Sequence, residues 1–154
     1  MEKVIEIQHY LPHRAPMLMV DYIVAMDEQK VETFFAIKKD NIFVDNGVLT
    51  EPGLIENAAQ TCSAIVAKSY FVDENDDEAN DVDVIGFISS IKKIEIYALP
   101  KAGSEIITIA SLISSFDTGA YRTCMMGCKT YSEEQLLLEG EINLFIQEVQ
   151  DEKK

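Results

Sequence analysis

The sequence predicts an α+β fold in which an antiparallel sheet packs against one long helix. Three observations predict it. Leu54 to Phe71 runs without Gly or Pro and is rich in Ala, Ile and Val, as a helix requires. Four strand-like runs follow, separated by turn signals, and late in the chain Ile142, Leu144 and Ile146 alternate with Glu141, Asn143 and Gln147. Two further strand-like runs precede the helix. Two strands, a helix and four strands are satisfied by an antiparallel sheet with the helix against its face.

Each element has its own local reason. Ile5 to Leu11 reads as a short helical turn closed by Pro12. Met17 to Ala25 reads as a strand, with a turn at Asp27-Glu28-Gln29. Val31 to Ile37 is a second strand, favoured by its Thr, Phe and Ile content. Lys38 to Glu51 is a loop containing Asn46-Gly47, and Glu51-Pro52-Gly53 stops it and starts the helix. The later strands are Val84 to Leu99, Glu105 to Ser115, Tyr121 to Tyr131 and Leu136 to Val149, arranged as a meander. Their separators are Pro100-Lys101-Ala102-Gly103, Asp117-Thr118-Gly119 and Ser132-Glu133-Glu134.

Residues 1–154 are one domain, large enough for its own core, and 47% hydrophobic. The net charge is −14, and seven of the 27 acids crowd Asp73 to Asp83 without a Lys or Arg. That balance argues against nucleic acid or an anionic membrane as partner. The acidic stretch lacks the central Gly and closing Glu of a calcium loop and reads as solvated. No apolar run approaches the roughly 18 residues of a membrane span, and the N-terminus has no signal-peptide pattern. Three cysteines without disulfide spacing point to a reducing cytoplasm. Cys124 and Cys128 lack further ligands for zinc, so no metal and no other cofactor is expected.

On the helix, Leu54, Ile55, Ala58, Ala59, Cys62, Ile65 and Val66 share one half, while Glu56, Gln60 and Ser63 form a stripe on the other. Glu56 then falls in the first turn. Two readings fit: an ordinary N-terminal acid, which the dipole favours, or a carboxylate placed for chemistry. Met17, Met19, Met125 and Met126 fit either an apolar tunnel or core filling. Lys92, Lys93 and Lys101 fit either an acidic partner or strand-edge protection.

Two motifs carry a resemblance. Leu11-Pro12-His13-Arg14-Ala15-Pro16-Met17-Leu18-Met19-Val20-Asp21 resembles the opening segment of 3-hydroxyacyl-acyl-carrier-protein dehydratases of the hot-dog fold. Pro52-Gly53-Leu54-Ile55-Glu56-Asn57-Ala58-Ala59-Gln60 resembles their helix segment, two residues shortened. Phe43 looks like a remnant of a family Phe, and Val84 to Ile88 with Lys92-Lys93 looks like the family's third strand. The resemblance covers most of the chain and implies a curled sheet wrapped around a central helix. It implies a dehydratase-like protein of fatty-acid or polyene-type synthesis acting on acyl thioesters carried by acyl carrier protein or CoA.

The same resemblance implies Glu56 and Gln60 as catalytic residues, and Gly53, Leu54, Gly86, Phe87 and Asn46 as substrate contacts. Backbone N–H groups after Gly53 are expected to stabilise charge on the thioester oxygen. One departure is plain. The His that the dehydratases place before the helix is absent from Val44 to Thr50, and the family gives His13 a structural part. An acyl thioesterase using the helix Glu, and a non-catalytic subunit paired with a His-bearing hot-dog subunit, therefore stand beside the dehydratase reading. A homodimer or higher oligomer is expected, since the relatives build their sites between subunits.

Overall fold

The computed structural model describes residues 5–6, 11, 13–71 and 83–149. The elements are β1 (Ile5–Glu6), β2 (Tyr22–Met26), β3 (Lys30–Ala36), β4 (Val44–Asp45), β5 (Val48–Leu49), α1 (Glu51–Phe71), β6 (Asp83–Ile96), β7 (Glu105–Asp117), β8 (Arg122–Ser132) and β9 (Gln135–Val149). Among the described residues, seven strands form one antiparallel sheet in the order β1-β2-β3-β7-β8-β9-β6, and β4 and β5 form a separate hairpin.

Turn chemistry sets the hairpins. Asp27 Oδ1 accepts the N–H groups of Gln29 and Lys30 at 2.7 and 2.8 Å, closing β2 onto β3. Asn46 and Gly47 both have positive φ, 51° and 79°, which is the two-residue turn that a tight hairpin favours.

The sheet curls around α1. Val31, Thr33, Phe35, Ile106, Thr108, Ala110, Met126, Cys128, Leu138, Ile142 and Leu144 are buried on its inner face. On the helix Leu54, Ala58, Cys62 and Ala64 are fully buried, but so are Asn57, Gln60 and Thr61. The helix is thus enclosed rather than half exposed, and buried polar side chains replace the solvent-facing stripe. Gly53 lets it seat closely: a Cβ there would come within 2.6 Å of Leu49 Cδ1 and 2.8 Å of Phe43 Cβ. No described helix is long and apolar enough to cross a membrane.

Several expectations need correction. Ile5–Glu6 is a strand paired with Tyr22 and Ile23, not a helical turn, because ladder partners outweigh the weak helix preference of so short a segment; residues 7–10 and 12 lie outside the described ones. The strand expected from Met17 begins only at Tyr22. The loop before the helix contains the β4–β5 hairpin. Helix α1 begins at Glu51, so Glu51 occupies the first turn and Glu56 the second. The last four strands are not a simple meander, since β6 pairs with β9 and lies at the sheet edge. Residues 100–104 explain this. Ile37 N donates to Ser104 O at 2.9 Å, Leu49 N to Pro100 O at 2.9 Å and Ala102 N to Gly47 O at 2.9 Å. These bonds draw the chain from β6 across to β3, where β7 starts.

Candidate functional site

Two amide side chains of α1 hold the opening loop. Gln60 Oε1 accepts from Met19 N at 2.8 Å, and its Nε2 donates to Met17 O at 2.8 Å. Asn57 Nδ2 donates to Met19 O at 2.7 Å. Upstream, Met17 N and Leu18 N donate to Arg14 O at 3.0 and 3.1 Å, and the Arg14 guanidinium donates to Leu11 O and His13 O at 2.8 Å each. Because buried amides must find partners, this loop has one seat on the helix.

The seat brings His13 to Glu56. His13 Nε2 lies 3.9 Å from Glu56 Oε1, with the side chains 30% and 28% exposed. The second donor of Gln60 goes to Glu56 Oε1 at 2.9 Å, so one glutamine aims the carboxylate and anchors the loop carrying the imidazole. His13 Nδ1 is buried with no hydrogen-bond partner among the described residues. Burial pushes the imidazole below its ordinary value of 6.5; the Glu56 carboxylate opposes the shift and the Arg14 guanidinium adds to it. His13 is therefore neutral near pH 7. At 3.9 Å the pair is too far apart for a direct hydrogen bond, and the separation is one that a single oxygen about 2.8 Å from each would bridge. A neutral imidazole and a carboxylate around one oxygen position can move protons to or from a bound hydroxyl.

The expected site residues are only partly gathered. Glu56 and Gln60 are hydrogen-bonded to each other. Gly53 and Leu54 are buried at the helix start, Gly53 against Leu49 and Phe43, and Leu54 in the core. Leu54 N already donates to Thr50 O at 3.2 Å, so the first amide after Gly53 is engaged within the helix. Asn46 forms the β4–β5 turn and is exposed, as is Asp45 beside it. Phe87 is 51% exposed and pairs with Phe145, whose neighbours Leu144 and Ile146 face the core. Its ring therefore lies on the sheet face turned away from α1, 5.1 Å from the Phe145 ring. Gly86 pairs with Ile146 on the same edge strand.

The other candidates resolve simply. Met19 and Met126 are fully buried core residues, whereas Met17 is 42% exposed. Lys92 and Lys93 pair with Glu141 and Glu95, each at 3.5 Å. Cys62, Cys124 and Cys128 are buried free thiols, and burial pushes the Cys124 thiol up. Among the described residues no three His, Cys, Asp or Glu side chains gather into a metal-binding group. Two residues carry more than the sequence reading assigns them: His13, read as structural, faces Glu56, and Asn57 escapes notice there. The available signal is a pair of amides, Asn57 and Gln60, set among apolar residues three apart on one helix.

A curled antiparallel sheet around one buried helix defines a hot-dog protein, and solved structures of that class match it. The dehydratase heterocomplex ApeI:P from Xenorhabdus doucetiae aligns with TM-score 0.76 at 16% identity, over 97% of this chain and 94% of the other. The PaaI protein of the Escherichia coli phenylacetic acid degradation operon aligns with TM-score 0.59 at 10% identity, over 79% of each chain. A hypothetical thioesterase with coenzyme A from Streptococcus pneumoniae TIGR4 aligns with TM-score 0.58 at 13% identity, over 82% and 84%. Among curated proteins none matches the sequence significantly. The chain belongs to the ApeP-like family, whose ApeP dehydratase model matches residues 5–153.

Proposed function

We propose that this chain dehydrates 3-hydroxyacyl thioesters, carried by acyl carrier protein or CoA, with His13 and Glu56 as its acid–base pair. The observation that carries the reading is the 3.9 Å approach of His13 Nε2 to Glu56 Oε1. It supplies, from the opening loop, the imidazole that the stretch before the helix lacks. The neutral imidazole takes the α-proton at Nε2, which requires the tautomer protonated at Nδ1. The C–H electron pair becomes the Cα–Cβ double bond as the Cβ–O bond breaks. The departing hydroxyl takes a proton from the His13–Glu56 pair and leaves as water, so the pair returns to its starting state. Glu56 stabilises the transient imidazolium, and Gln60 fixes the carboxylate's direction.

A second hot-dog subunit fits the same reading. Strand β6 ends the sheet among the described residues, with Phe87 and Ile91 51% and 45% exposed, and the ApeI:P relative is a heterocomplex. A place in fatty-acid or polyene-type synthesis is consistent with such a substrate. The test is incubation of the purified protein with 3-hydroxyacyl and saturated acyl thioesters. Enoyl thioester from the first is the expected product. Free thiol from the second, without enoyl product, replaces dehydration with hydrolysis by Glu56. Neither product from a folded protein overturns the reading.

A further inference from the structure

We propose that Asn57 is a positioning residue for the His13–Glu56 pair, holding the His13 loop on the helix through the Met19 carbonyl, with a threonine hydroxyl chain behind it. The proposal rests on the reading of that pair as the proton-transfer site. Asn57 directly follows Glu56 and is 1% exposed. An amide buried there is costly unless both its ends are bonded. Its Nδ2 donates to Met19 O at 2.7 Å and its Oδ1 accepts from Thr108 Oγ1 at 2.6 Å. The reverse orientation would set two carbonyl oxygens 2.7 Å apart, so the amide has one stable facing.

The proton directions follow. Thr108 gives its hydroxyl proton to Asn57, so in the 2.8 Å contact between Thr108 and Thr130 the donor is Thr130. A single directed chain thus runs from Thr130 in β8 through Thr108 in β7 and Asn57 in α1 to the Met19 carbonyl. A second chain holds the Asn57 backbone. Thr61 Oγ1 donates to Asn57 O at 2.9 Å, which makes Thr33 the donor in its 2.8 Å contact with Thr61.

With Gln60 on the Met19 N–H and Asn57 on its carbonyl, this loop residue is gripped at both backbone polar groups. Without Asn57 the loop keeps Gln60 at the Met19 N–H and the Met17 carbonyl, but the Met19 carbonyl loses its partner and the loop can pivot on the Gln60 contacts. The pivot reaches His13 because Met17 and Leu18 are tied to the Arg14 carbonyl, one residue from the imidazole. Misplacement of about 1 Å at a reacting group can cost about 100-fold in rate.

The test uses the full chain with ¹³C-labelled histidine, the His13 resonance being assigned by its loss in His13→Gln. In Asn57→Ala the His13 titration should move up toward 6.5 as the ring gains water. The kcat for dehydration should fall about tenfold or more with KM within about twofold. Thr108→Val should shift both readouts in the same direction, and Thr108→Ser, which keeps the hydroxyl, should restore them. A folded Asn57→Ala protein with the parent titration and kcat overturns the proposal, as do Ser and Val variants that behave alike. If Asn57→Ala does not fold, the Thr108 pair decides. The titration is read without turnover, so it separates failure of this inference from failure of the dehydratase reading.

Discussion

Replacing either His13 or Glu56 should cost as much dehydration activity as replacing both. Nε2 and Oε1 are 3.9 Å apart, a separation that one substrate oxygen shared between them would bridge. Groups that act on one proton position act as a unit. An acid–base contribution is typically about 10²–10⁴-fold, or about 2.7–5.4 kcal/mol at about 1.36 kcal/mol per decade. Independent groups would multiply, giving about 10⁴–10⁸-fold for the double variant; a unit leaves it near 10²–10⁴-fold. Glu56→Gln suits the experiment because its side-chain oxygen can still accept the 2.9 Å bond from Gln60 Nε2, so the loop frame persists. His13→Gln removes the imidazole while keeping a polar side chain. The assay is the rise in enoyl-thioester absorbance from a 3-hydroxyacyl thioester, on samples checked for folding by circular dichroism. A double-variant loss equal to the product of the single losses refutes the shared-oxygen geometry. So does either single variant that keeps its rate within about threefold of the parent.

Three other outcomes are expected. His13 is held below its ordinary 6.5 by burial, so the unfolded chain binds a proton first as pH falls; stability should rise with pH from the lowered folded value up to about 6.5, and His13→Gln should flatten that part of a urea-midpoint profile. An unchanged slope would mean that His13 is solvated in the folded state. Gly140→Ala should destabilise by about 2 kcal/mol or more, because a Cβ would overlap the Lys93 carbonyl oxygen and come within 3.0 Å of Ile94 Cα on the neighbouring strand; a urea midpoint within error of the parent contradicts that packing. Light scattering should give a mass at least twice 17.3 kDa, alone or with a second hot-dog chain, since β6 lies at the sheet edge with Phe87 and Ile91 exposed; a mass near 17.3 kDa under both conditions refutes it.

The sequence alone determined what depends on neighbours along the chain. Helical spacing put Glu56 and Gln60 one turn apart, and they are hydrogen-bonded at 2.9 Å. Alternation marked β9, whereas the stretch around Asn46-Gly47 read only as a loop and the structure closes it into a hairpin. The order of elements and the two motifs pointed to the hot-dog fold and to its dehydratase-like family. Tertiary structure decided what depends on partners far away. It set β6 beside β9, because the segment after β6 bonds to Ile37 and to the β4–β5 hairpin. It buried Gln60 and Asn57, which a helical projection assigns by neighbours on the same helix and not by what encloses them. It also brought His13 to Glu56 across 43 positions of sequence. That approach follows from buried amides finding their partners in the Met17 and Met19 backbone, a requirement met only once the loop, the helix and the sheet share one interior.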